Sequence, residues 1–179
     1  MIFYINNCAD CSLNVLHDYF IKEGITPLLV TVSNGVGTFT FNDNENQEAI
    51  QAIINNIESI KLSAAKERKI SELQVSCSNT INSSFTSSAL GTPHLYSYDT
   101  EAQRNLTIAI DAIPYYPENA TIEWRIHDTR ECIAHNKSQI IQLYLDSVTH
   151  VQTNVTKFRT KETQVNNATT VEDVMSITW

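Results

Sequence analysis

The chain has 179 residues, 42% of them hydrophobic, which is enough for one generous domain or two small ones with a real core. Twenty acidic residues against twelve basic ones give a net charge of −8, and this argues against a nucleic-acid partner, whose phosphates are neutralised by clustered Lys and Arg. The one cationic run, Lys66-Glu67-Arg68-Lys69, is broken by an acid and reads as a solvated helix face.

The opening "MIFYINNCADCSLNVLHDYF" lacks the basic start and unbroken apolar run of a signal peptide. The uncharged stretch Ile25 to Asn42 carries Pro27, Gly35 and Gly37 among Ser and Thr residues, so it predicts no spanning helix and no membrane insertion. The expectation is a protein made in a reducing cytoplasm, where its four cysteines form no disulfides.

In chain order, "MIFYI" is a short β-prone run, and Leu13, Leu16, Tyr19 and Phe20 then recur at helical spacing before Gly24, a candidate C-cap. "PLLVTVSNGVGTFTF" predicts a hairpin turning at Asn34-Gly35, which completes a small β-α-β-β unit. Between Asn42 and Phe85 there is neither Gly nor Pro. Ile50, Ile53, Ile54, Ile57, Ile60 and Ala64 make one helical stripe, and Ile70, Leu73, Cys77 and Ile81 a second one out of phase with it. The phase slip predicts either a stammer or a joint near residues 63 to 68 and places a domain boundary there. One domain then covers residues 1–62, a β-rich module with its connecting helix, and another covers 63–179.

Residues 86 to 103 read as turns, because Gly91 and Pro93 oppose a regular element; a helix through Ala102, Leu106, Ile110 and Ile113 follows and stops at Pro114 and Pro117. "TIEWRIHDTRECIAH", residues 121–135, predicts a two-stranded hairpin. From Ser138, the positions Ile141, Tyr144, Val148, Val151, Val155, Phe158 and Val165 alternate by three and four with Glu162 the only break, the best heptad in the chain. Thr170, with Glu172 and Asp173 behind it, caps a last short helix before Trp179. The fold class expected is α+β: a small N-terminal β-α-β-β module followed by a mainly helical domain with one hairpin.

Three groups of residues raise chemistry. The stretch "SSFTSSALGTPHLYSYDTEAQRNL" holds Ser87 or Ser88, His94 and Asp99, the residue types of a nucleophilic triad, but no Gly flanks the serines to form a strained nucleophile elbow. Cys8-Ala9-Asp10-Cys11 has the spacing of a zinc or redox pair but lacks a second pair of ligands. His127, Cys132 and His135 gather on the predicted hairpin and offer a three-ligand metal site, or else ordinary hairpin edge positions. The reading adopted is that there is no catalytic, cofactor or metal site: Phe85 and Leu90 fill the core, Gly91 and Pro93 set a turn, Asp99 or Thr100 caps the next helix, and His94 and Tyr96 make buried polar bonds.

Phe85, Ser88, Ala89, Leu90, Gly91, His94, Tyr96, Asp99, Gln103, Asn105 and Leu106, followed by Trp124, by His135 and Gln139, and by "ATTVEDVMSITW", form an ordered pattern over residues 62 to 179. This pattern resembles a domain of unknown function that closes many tailed-bacteriophage tail-fibre and tail-associated proteins. It departs from that domain at Asp128-Thr129-Arg130, where related turns commonly carry Gly, and in a long helix richer in Thr and Asn. The resemblance implies a structural signature made of Phe85, Leu90, Gly91, His94, Tyr96, Asp99, Asn105, Leu106, Trp124, His135 and Trp179. It also implies a non-enzymatic virion protein of a phage tail, baseplate or tail fibre, made in the host cytoplasm, whose partners are other tail or fibre proteins. A tail-fibre assembly chaperone is the alternative, and a metal-dependent or hydrolytic enzyme a further one. The heptads add a homo-oligomer, with a trimer admissible, and point to the hairpin Val30 to Phe41 and the long C-terminal helix as contact elements.

Overall fold

The computed structural model describes residues 1–5, 13–34 and 36–179. Cys8-Ala9-Asp10-Cys11 and Gly35 of the predicted turn lie outside the described residues. The chain is α+β, as its patterning predicts, and divides into two compact units: residues 1–69 with 165–176, and residues 70–164 with 177–179.

The first unit starts with β1 (Ile2–Ile5), α1 (Leu13–Lys22), β2 (Leu29–Ser33) and β3 (Val36–Thr40). The strands form an antiparallel sheet in the order β1-β3-β2, with Phe3 opposite Phe39 and Val30 opposite Phe39. Helix α1 ends where predicted. Gly24 sits at φ +76°, Ile25 N–H donates to Phe20 O (2.8 Å) and Gly24 N–H to Ile21 O (3.0 Å), the paired bonds of a Schellman cap. Phe20, Phe39 and Phe41 are buried together, with Phe20 at ring-centroid distances of 5.3 and 5.0 Å from the other two. Each such side chain contributes about 1.5–3 kcal/mol by burial.

Helix α2 (Gln47–Asn55) begins at Asn46, whose side-chain oxygen accepts from Glu48 N–H (3.1 Å) and Ala49 N–H (3.2 Å). Helix α3 (Ile57–Ile81) follows after the single residue Asn56. The helix joint therefore lies at residue 56, and α3 is unbroken through 63–68. Two successive asparagines, Asn55 and Asn56, weaken helix propagation there, and Asn56 N–H is shared between Ala52 O and Ile53 O. Ile50, Ile53, Ile57 and Ile60 nevertheless all reach the same core. Lys66-Glu67-Arg68-Lys69 is the solvated face expected only at Glu67 and Arg68, which are exposed: Lys69 is only 5% exposed, and Lys66 Nζ donates to Asn166 O at 2.7 Å. Long aliphatic stems let lysines cover apolar surface in this way.

In the second unit, β4 (Ser84–Ser87) and β5 (His94–Ser97) form an antiparallel hairpin with Phe85 opposite Tyr96. Here the expectation of turns across 86 to 103 fails. Gly91 and Pro93 do not prevent a regular element but make the connection, with Gly91 at φ +91° and its N–H donating to Ser88 O (2.8 Å). Helix α4 (Thr100–Ala112) is closed by one 3₁₀ turn containing Pro114. The hairpin β6 (Thr121–Arg125) and β7 (Cys132–Asn136) then leads into the long α5 (Lys137–Asn167), and α6 (Val171–Ser176) starts at Thr170, whose hydroxyl accepts from Asp173 N–H at 3.1 Å. Both hairpin and caps agree with the sequence reading.

The face that α5 buries is only partly the one the heptad picked: of its positions Val165 is fully buried and Tyr144 packs on the core, while Ile141 and Val155 are exposed. Ile140, Leu143 and Ser147 are fully buried and Asn154 nearly so, whereas Ile141, Leu145 and Val155 are 43%, 51% and 42% exposed. At about 100° per residue, those three exposed side chains fall within an arc of about 80°. A 31-residue helix that is apolar over more than one stripe has no unique buried face from periodicity alone. Here the buried stripe takes two polar residues because both find bonds: Ser147 O–H donates to Tyr144 O (2.7 Å), and the Asn154 amide to His150 O (2.9 Å).

Candidate functional site

The signature residues converge on the second unit. Phe85 is buried between Tyr96 (centroids 5.9 Å) and Tyr98 (5.2 Å, edge-on), with the His150 ring 6.0 Å away. Tyr96 and His135 are completely buried, and the Tyr96 hydroxyl lies 2.9 Å from His135 Nε2. His135 Nδ1 lies 2.7 Å from Ile133 O, an acceptor only, so Nδ1 carries the proton and Nε2 accepts from the phenol. The pair is satisfied on both sides in a low-dielectric interior. Burial first, and the Asp128 carboxylate second, raise the Tyr96 phenol above its ordinary pKa.

The other members hold the frame around this pair. Asp99 is the N-cap of α4, accepting from Glu101 N–H (3.0 Å) and Ala102 N–H (2.9 Å), and Leu106 is buried on that helix. Leu90 and Trp124 are half-buried and pack on the same core. Trp179 donates its indole N–H to Thr80 Oγ1 (2.9 Å) beneath Lys157, whose Nζ is 4.3 Å from the ring centroid. His94 is a correction: it is half-buried, and its ring bonds only to the exposed Thr92 hydroxyl (3.0 Å), so it makes no buried polar bond. Asn105 is exposed on α4, and nothing in the structure explains its place in the signature.

The residues that composition groups as a triad are not brought together. Asp99 caps a helix and His94 faces Thr92, as described above. Ser87 is 2% exposed and donates to Asp146 Oδ2 at 2.6 Å, while accepting from Ala89 N–H at 3.1 Å. Likewise His127 contacts Ser97, His135 is buried on Tyr96, and Cys132 is exposed. Among the described residues, no three His, Cys, Asp or Glu side chains are grouped to hold a metal ion.

A groove the sequence reading missed runs along β4 and α5. It has a volume of about 700 Å³ and is lined by Phe85, Thr86, Ser88, Gln142, Asp146, Thr149, His150, Thr153 and Asn154. Its carboxylate is fully engaged, since Gln142 donates to Asp146 Oδ1 (2.7 Å) and Ser87 to Oδ2. His150 Nε2 lies 3.3 Å from Ile81 O and donates to it. The groove therefore offers hydroxyls and amides for hydrogen bonding, with its titratable groups already committed to structural bonds. A signal for it exists: Gln142, Asp146, His150 and Asn154 repeat at every fourth residue, a run of polar neighbours along the helix.

Residues 64–178 match the family described as a domain of unknown function, DUF4376, and the chain belongs to that family. No curated protein and no solved structure matches it. Among the described residues no helix is long and apolar enough to cross a membrane.

Proposed function

We propose that this member of the DUF4376 family is a non-enzymatic structural protein of a bacteriophage tail, baseplate or tail fibre, acting through contacts with tail proteins and with further copies of itself. The observation that carries the reading is the buried Tyr96–His135 pair. The most chemically distinctive residues of the signature are fully enclosed and bonded to one another, as elements of a scaffold are and as solvent-facing reactive groups are not. The likeness of residues 62–179 to domains that close tail-fibre proteins adds the virion context. Ile141, Leu145 and Val155 supply a contact face of branched aliphatic side chains on α5, of the kind that buries against another helix.

The virion assignment is tested by quantitative mass spectrometry of purified particles. A structural protein appears there in fixed copy number, whereas an assembly chaperone is present in lysates and missing from finished particles. Self-association is tested by light scattering on the purified chain and on Leu145→Glu. The parent is expected to be oligomeric and the variant monomeric with unchanged helicity, and a parent that is monomeric at micromolar concentration would refute the contact face.

A further inference from the structure

A small cavity lies between the end of β5 and the turn that joins β6 to β7. It has a volume of about 250 Å³ and is lined by Ser97, Arg125, His127 and Arg130. Two features hold it in shape. His127 N–H donates to Leu95 O at 2.7 Å, which ties the turn to β5, and the His127 ring places Nδ1 2.8 Å from Ser97 Oγ. When the serine hydroxyl donates to Nδ1, the ring proton sits on Nε2, so the imidazole presents a donor. Each guanidinium presents five more and no acceptor.

The charges are unusual for this chain. With 20 acidic residues against 12 basic ones, partners for arginine are abundant. Lys61, Lys137 and Arg159 each have a carboxylate within 3.3 Å. Arg125 and Arg130 form no ion pair and no side-chain hydrogen bond among the described residues. The nearest acids in sequence are Glu123, Asp128 and Glu131, all exposed, and Asp128 Oδ1 accepts instead from Thr129 N–H at 3.1 Å. Arg130 is moreover held at φ +61°, where a glycine or asparagine costs less than an arginine. Two like charges lining one cavity repel unless an anion lies between them.

We propose that this cavity binds a tetrahedral oxyanion, a phosphate or sulfate group, gripped by the Arg125 and Arg130 guanidiniums with His127 as a third donor. Guanidiniums match such oxygens in pairs, through charge-assisted bonds. The volume corresponds to about eight waters at about 30 Å³ each, which suits one oxyanion with part of its hydration and is small for a drug-sized ligand. The group arrives as the free ion or carried on a small molecule.

The test is titration of the full-length protein with inorganic phosphate, sodium sulfate, glucose 6-phosphate and, at matched ionic strength, sodium acetate. Binding is followed by calorimetry and by amide NMR shifts. Saturable binding of phosphate or sulfate, with shifts centred on Ser97, Arg125, His127 and Arg130, is expected. Arg125→Gln and Arg130→Gln each weaken it by about tenfold or more, since each removes a charge-assisted contact, while Arg→Lys at either position retains part of it. Both arginines are exposed, so these variants keep the parent melting temperature. Tighter binding of glucose 6-phosphate than of phosphate identifies a carried group, and equal binding the free ion. Absence of saturation, an equal response to acetate, or undiminished binding in the double Arg→Gln variant overturns the proposal.

Discussion

Replacing Tyr96 with Phe removes one oxygen from the centre of the second unit and nothing else. The ring stays against Phe85, but His135 Nε2, completely buried, loses the phenol that lies 2.9 Å from it. An orphaned buried acceptor costs about 1–3 kcal/mol, because folding strips it of water and returns no partner. With a urea dependence of about 2 kcal/mol per molar, a loss of about 2 kcal/mol moves the unfolding midpoint down by about 1 M. The chain's two tryptophans, Trp124 and Trp179, both belong to this unit, so their fluorescence reports its unfolding. His135→Leu strands the phenol and the Ile133 carbonyl instead. In Tyr96→Phe/His135→Leu the phenol and Nε2 are both gone, and the double change is expected to cost less than the sum of the single ones by at least about 1 kcal/mol. A Tyr96→Phe midpoint within about 0.2 M of the parent, or single changes that add to within about 0.5 kcal/mol, would refute the account of a coupled pair.

The same phenol makes stability depend on alkaline pH. Its folded-state pKa is raised above the unfolded value of about 10, so its stabilising contribution is complete below about pH 10 and is lost as pH rises through the folded value. Urea midpoints across that window should fall more steeply for the parent than for Tyr96→Phe, and parallel curves would contradict the shift. Asp99→Ala should destabilise by about 1 kcal/mol through loss of the α4 cap and Asp99→Asn by much less; equal losses in thermal melts would mean that charge, not capping, matters there. Cys77 is buried, its thiol is pushed up by desolvation, and it donates to Asn154 O (3.6 Å), whereas Cys132 is exposed. Iodoacetamide labelling read by peptide mass spectrometry should therefore modify Cys132 in the native protein and Cys77 only in urea. Comparable native rates at the two sites would mean the second unit opens far more readily than its packing implies.

Much of the fold is local and so was readable in the sequence. Gly24 ends α1, Asp99 and Thr170 begin α4 and α6, and the alternation of Ile122, Trp124 and Ile126 marks the β6–β7 hairpin. Each rests on backbone chemistry within a few residues, which a lone segment already contains. The strands misread are those where tertiary pairing outranks local preference. Ser84–Ser87 and His94–Ser97 are short strands that exist because they pair with each other across Gly91 and Pro93. The α2–α3 joint has instead a local cause, the two asparagines at 55 and 56, hidden by an apolar stripe that runs through it uninterrupted.

Sequence alone determined the α+β class, the caps, and a signature concentrated between Phe85 and Leu106. Only the tertiary structure decided what those residues do. It enclosed Tyr96 with His135, 39 positions away, left His94 and Asn105 outside that core, and chose Ile140, Leu143, Ser147 and Asn154 over Ile141, Leu145 and Val155 as the buried face of α5. The physical reason is the same in each case. Burial is set by what meets a side chain in space, and a polar residue is as acceptable inside as an apolar one once its bonds are completed, by a residue 39 positions away for Tyr96 and by carbonyls of their own helix for Ser147 and Asn154.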